Sequence, residues 1–351
     1  MALSNFKRFE ERDALFRNSK GKVKAAPELY GAPVADAHCH LGMLDDVPLA
    51  LARCAVNGVR FLECITDPSD HGDDEKSAAE VYALLPSWLD EAAALLAEWG
   101  SESELPRVRM ASGVHPHNAK DWGAARDELI ELLRNPLTSC LGEIGLDYHY
   151  DFSPRDVQRE VVALELQLAH EAGLPVQLHI REGHTDALAI LREQGCPPAG
   201  AVLHCFNLDA AVLEPFLELG CAVTLGGPLT FKKEWETRAA ALIVPPERLM
   251  TETDAPFMAP EPLRGCVCQP DYVLYTVRGL LDCFGYAGDE RGVELVNPRT
   301  IDVPEGEEPP QRLLPDFAEL QQGMDERAFA QRLYTNAVEF FDRSLTDWQR
   351  G

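Results

Sequence analysis

Residues 34–43 read VADAHCHLGM, with Asp36, His38 and His40 at every second position of an otherwise strand-like stretch. Alternate residues of a strand share a face, so the two imidazoles project side by side with a carboxylate just behind. Such a pair suits a metal ion better than an apolar core. Asp36, if it is not itself a ligand, is expected to accept a hydrogen bond from one of the rings and orient it.

Further groups of the same kind recur along the chain: His115 and His117 in GVHPH, Glu143 in LGEIGLDY, His179 in PVQLHI, His204 in AVLHCF and Asp254 in TETDAP. Taken singly, each has a plain structural reading. His204 passes as a hydrogen-bonded core histidine, Asp254 as a turn cap, and Glu143 as a buried acid with a basic partner. Together they make a ligand set. His38, His40, His179, His204, Glu143 and Asp254 are too many for one tetrahedral ion with an open position. They suit two divalent ions about 3.5–4 Å apart, joined by a carboxylate and a water. His38, His40 and Asp254 are expected on one ion, His179 and His204 on the other, and Glu143 between them. No Lys stands at a strand end to bridge instead. Imidazole ligation suits Zn²⁺ or Mn²⁺, while Mg²⁺ prefers oxygen.

These residues need a scaffold that gathers distant strand ends. Eight short apolar runs supply it: 34–39, 59–66, 108–115, 138–145, 175–180, 201–206, 221–227 and 249–256. Between most of them the spacing is helical, as in SAAEVYALLPSWLDEAAALLAEWG with its stop at Gly100. The helix after Ser153-Pro154 runs to Gly173 in the same way. Eight strand–helix units predict a single-domain α/β fold, a (β/α)₈ TIM barrel, whose chemistry sits at the C-terminal ends of the strands. Residues 31–345 are assigned to this barrel. Residues 1–30 form an N-terminal extension, a candidate helix, and residues 287–323, rich in Pro, Glu and Gly, form a long insertion in the C-terminal half.

The formal charge is −26. Residues 1–24 carry seven Lys or Arg against three Asp or Glu, which leaves the body at −30. Such a body repels polyanions at long range, so a phosphate-bearing substrate needs local positive charge, which bound metals supply. No apolar run approaches the ~20 residues of a membrane helix, and the N-terminus lacks a secretory h-region. Ten scattered cysteines, without a C-x-x-C pair, predict a reduced, cytoplasmic protein.

The ordered strings DAHCHL, GVHPH, GEIGLDY, PVQLHIRE, LHCF, TLGGPLTFKK, TETDAPFMAP and TNAVEFF, spanning roughly residues 34–342, resemble the TatD-type metal-dependent deoxyribonucleases of the amidohydrolase-like superfamily. The resemblance implies a TIM barrel, a divalent-metal centre held by the six residues already singled out, and hydrolysis of DNA phosphodiester bonds, often exonucleolytic, with Mg²⁺ or Mn²⁺. It turns His115, His117 and Arg181 toward substrate. The chain departs from the family at Asn207-Leu208, at CVCQP after APEPLRG, in the insertion and in the basic extension.

The expected mechanism is metal-assisted hydrolysis: Asp254 holds the attacking water and takes its proton, Glu143 bridges, and Arg181 with His115 neutralises charge on the phosphoryl oxygens. The Gly226-Gly227 turn is a candidate phosphate cradle. The altered loops and the acidic body also admit a small amide, lactone or phosphoester in place of DNA. A non-catalytic metal-binding scaffold ranks last. Neither a membrane nor an obligate protein partner is indicated.

Overall fold

The computed structural model describes residues 12–27, 29–70, 76–285 and 325–351. Eight parallel strands follow one another around a single sheet in sequence order: β1 (Val34–Cys39), β2 (Val59–Thr66), β3 (Arg107–Ser112), β4 (Thr138–Asp147), β5 (Val176–Arg181), β6 (Ala201–Leu203), β7 (Ala222–Leu225) and β8 (Leu249–Thr251). A parallel bridge from Cys39 to Ala255 brings the eighth strand back to the first. Phe61 on β2, Cys140 on β4, Val202 on β6 and Met250 on β8 belong to one buried cluster. Strands so far apart in the sheet share a cluster only if the sheet closes on itself, and this is the (β/α)₈ barrel.

Helices α1 (Val47–Val56), α2 (Ala78–Glu98), α3 (Trp122–Leu133), α4 (Arg155–Ala172), α5 (His184–Gln194), α6 (Ala210–Glu218), α7 (Trp235–Ala241), α8 (Val273–Gly285) and α9 (Glu326–Phe341) surround it. Local chemistry sets their ends. Ser77 and Glu80 form a capping box at the start of α2, and Gly173 ends α4 in the left-handed conformation. Pro154 stands at the N-cap of α4 without a side-chain cap. Ser153 caps nothing there; its hydroxyl donates to the carbonyl of His117. Residues Ala337 and Phe341 of α9 join the interior cluster and seal the barrel.

The described part of the N-terminal extension packs on the barrel. It forms a 3₁₀ turn over Arg12–Leu15 and a bridge between Arg17 and Val23. Phe16 is fully buried. Arg53 on α1 pairs with Asp271 at 3.0 Å and also donates to the carbonyl of Leu15. The inserted segment 287–323 lies outside the described residues.

Candidate metal centre

Barrel closure positions the first ligand group. Asp254 N–H donates to the carbonyl of His38 at 2.9 Å, and His40 N–H donates to that of Ala255 at 2.7 Å. The β1 histidines and the residue after β8 are thereby held in register. Asp254 itself has φ +60°, and two more non-glycine residues at strand ends, Glu182 after Arg181 and Cys205 after His204, also have positive φ. Left-handed backbone at non-glycine residues costs energy and clusters where side chains must be aimed at a site.

His38 Nε2 and His40 Nε2 lie 3.2 Å apart. Asp254 Oδ1 is 3.6 Å from the first and 3.4 Å from the second. Glu143 stands between two groups. Its Oε2 faces His38 at 3.6 Å and His40 at 4.0 Å. Its Oε1 faces His179 at 2.6 Å, His204 at 2.8 Å and His115 at 3.7 Å. Three trios each bring their ligand atoms within 4.8 Å of one another: His38–His40–Asp254, His38–Glu143–His204 and His115–Glu143–His179. The six expected ligands therefore converge, and His115 joins them.

The donor set fits a cation. Gln177 Nε2 donates to the carbonyl of Ala37 at 2.9 Å, so its Oε1 accepts from His38 Nδ1 at 2.8 Å. This assignment leaves a lone pair on His38 Nε2, aimed at His40 and the two carboxylates. Burial, reinforced by His204, holds His38 well below the usual imidazole range, and burial does the same to His115. Burial alone would raise Glu143, but His204, His115 and His179 outweigh it and hold its carboxyl well below the usual range. Burial would also lower His40, His179 and His204, but Glu143 and the neighbouring carboxylates outweigh it and raise all three, so an ion entering beside the ionised Glu143 would displace protons from these rings.

A second layer of acids flanks the rings. Glu252 Oε1 lies 3.4 Å from His204 Nδ1, and its other oxygen accepts from Thr224 Oγ1. Asp147 Oδ2 lies 2.8 Å from His117 Nε2 and 3.4 Å from His179 Nε2. Burial would raise Asp147, but the bonds to these two histidines hold it far below its ordinary value. Gln177, Glu252 and Asp147 escaped the reading of the sequence, although each stands two to four residues from a candidate ligand. Two residues before His179 in a strand, Gln177 shares its face, and that was the available signal.

Asp36 has a different job from the one expected. It accepts from Thr253 N–H at 2.8 Å, Thr253 Oγ1 at 2.6 Å and its own strand's His38 N–H. It ties β1 to the segment after β8, and Gln177 orients the imidazole in its place. The Gly226-Gly227 turn is no phosphate cradle. Both residues are buried, and a Cβ on Gly227 would stand 1.8 Å from the carbonyl oxygen of Met258. The turn is a close backbone crossing.

The centre opens into a cavity of about 460 Å³, with Arg181, Tyr150, Phe152 and Phe257 among its lining residues. The Arg181 guanidinium lies 4.7 Å from the centre of the Tyr150 ring.

Comparison with known proteins bears on the family and the fold. The family model described as "TatD related DNase" matches residues 35–295. A metal-dependent hydrolase of Mycobacterium tuberculosis is 33% identical over 281 residues, which cover 77% of this chain and 93% of that one. The 3'-5' ssDNA/RNA exonuclease TatD of Klebsiella pneumoniae is 37% identical over 155 residues, 44% of this chain and 59% of its own. The crystal structure of the TatD homologue YJJV from Escherichia coli aligns with TM-score 0.64 over 90% of this chain and all of that one, at 22% identity, and shares the fold. With the family match spanning most of the barrel and a relative matched over nearly its whole length, the chain belongs to the TatD family of metal-dependent hydrolases.

Proposed function

We propose that the protein hydrolyses phosphodiester bonds of nucleic acid, DNA in the first instance, at a centre of two divalent ions. One observation carries the reading: the two oxygens of Glu143 face two different ligand groups, His38 and His40 on one side, His179 and His204 on the other. With Asp254 completing the first group, these six residues would hold the ions. Zn²⁺, Mn²⁺ and Mg²⁺ are the candidates, and the histidine content favours the first two. When bound, such ions lower the pKa of water toward neutrality and neutralise charge on a phosphoryl group.

The chain's own residues supply the rest. Asp254, held at the cavity mouth by its backbone bond to His38, orients the attacking water and accepts its proton. Arg181 and His115 line the same cavity and meet the non-bridging oxygens of the substrate. Gln177, Asp147 and Glu252 keep the rings aimed. The barrel of residues 31–345 is the catalytic unit, with residues 1–30 as its extension. Ten free thiols, most of them buried, support a reducing compartment, the cytoplasm.

The test is hydrolysis of a labelled single-stranded oligonucleotide and of a panel of small esters by protein loaded with each metal in turn. Cleavage of the oligonucleotide that weakens with rising salt is expected. Asp254→Asn should lower the rate about 10²–10⁴-fold; near-wild-type turnover by that variant would remove the general-base assignment. The cavity volume lies in the range of small-ligand sites. That favours a small phosphoester, lactone or amide as the second reading, and turnover of the ester panel alone would select it.

A further inference from the structure

Beside the metal centre, two aromatic rings are held in solvent. Tyr150 and Phe152 are 48% and 58% exposed, yet they stack with ring centres 5.3 Å apart and planes 12° from parallel. The Arg181 guanidinium lies over Tyr150. The array adjoins the ligands. His117 packs edge-on to Tyr150 at 5.5 Å and to Phe152 at 4.8 Å, and His117 stands 6.3 Å from His179.

The backbone beneath the rings is pinned. Asp147 Oδ1 accepts from the N–H groups of His149 and Tyr150, both at 2.9 Å, while its Oδ2 serves His117 and His179. Gln158 donates to the carbonyls of Asp147 and Ser153, and Lys120 donates to that of Phe152. One carboxylate thus joins the ring-bearing loop to the candidate ligand His179. A loop so firmly held that still presents two stacked rings to water, on the wall of a reactive cavity, marks a binding surface.

Flat rings backed by a guanidinium are the chemistry that receives unpaired nucleobases, since every base has a π-face and stacking tolerates sequence. A phosphodiester at the metal centre carries its base only a sugar away, and the rings begin one histidine out from His179. We propose that Tyr150 and Phe152, backed by Arg181, form a stacking platform for the unpaired nucleobase adjoining the scissile phosphate of a single-stranded substrate. This rests on the nucleic-acid reading above. A base inside a duplex is already stacked on both faces, so the platform selects single strands or frayed ends.

The test compares a single-stranded oligonucleotide with one of the same length that lacks its terminal bases, each with wild type, Tyr150→Ala, Phe152→Ala and the double variant. All are loaded with the same metal. Stacking of one base corresponds to about a 5- to 150-fold preference in kcat/KM for the base-bearing strand. Wild type should show that preference, and the double variant should bring the ratio close to one. Retention of the full ratio by the double variant, or equal rates on both strands by wild type, overturns the platform while leaving the phosphodiesterase in place. Failure of wild type to cleave either strand removes the nucleic-acid reading and the platform with it. An independent reading uses 2-aminopurine at the terminal position of the strand. Its fluorescence should be quenched on binding to wild type and recover with the double variant; unchanged fluorescence on a bound strand counts against stacking.

Discussion

Gln177 grips the ring of His38 from behind: its Oε1 lies 2.8 Å from His38 Nδ1, while its own amide nitrogen donates to Ala37. An uncharged side chain on β5 therefore fixes which nitrogen of a β1 histidine faces the cluster. Gln177→Leu should keep the fold and weaken metal affinity about 10–100-fold. Calorimetric metal titration of the two proteins checks this, and equal affinities would show that His38 needs no orienting partner.

Gly145 stands between Glu143 and Asp147 with φ +145°, and a Cβ there would lie 1.9 Å from the carbonyl oxygen of His179. The hydrogen meets a steric need, because β4 and β5 must approach closely for Glu143 to reach His179. Gly145→Ala should cost several kcal/mol, at the upper end for single substitutions. Gly100, also at positive φ but facing open space, should lose only about 1–2 kcal/mol on the same change. Thermal unfolding of both variants compares them.

Glu63 is buried within β2 with one oxygen accepting from Ser139 and the other without a partner. Burial pushes its carboxyl up to about 8. A carboxyl raised in the folded state stabilises most below its unfolded value of about 4.3. That contribution is lost as pH rises toward 8 and is constant above it. Glu63→Gln should therefore gain stability relative to wild type between those limits, by a few kcal/mol at most. Denaturant unfolding at pH 5 and pH 8.5 measures the difference, and a pH-independent difference would contradict it.

Removing metal should lower the melting temperature. Ligand atoms from several strands face one another across the barrel mouth, and an ion at about 100 times its dissociation constant stabilises by about 2.7 kcal/mol. Chelation should thus shift the transition down by several degrees. The shift should shrink in Glu143→Gln, where the carboxylate between the two ligand groups is neutralised. Scanning fluorimetry with and without chelator reads both.

The amino-acid order alone pointed to the candidate ligands and the strands that bear them. Strands β1 and β2 fall on the runs expected, and D-x-H-x-H announces paired imidazoles because a strand repeats every two residues. It also reached the closed barrel, since eight strand–helix units admit few other arrangements. Strands β6, β7 and β8 are shorter than their apolar runs, and His204 and Asp254 stand just beyond the ends of β6 and β8. Distances between chain-remote side chains were decided only by tertiary structure. The return of β8 to β1 sets Asp254 against His38, and the approach of β4 to β5 sets Glu143 against His179. The same closure gave Asp36 a structural bond to Thr253 and handed its expected task to Gln177. A polar residue's partner depends on which strand the barrel brings alongside it, and local sequence carries no record of that distance.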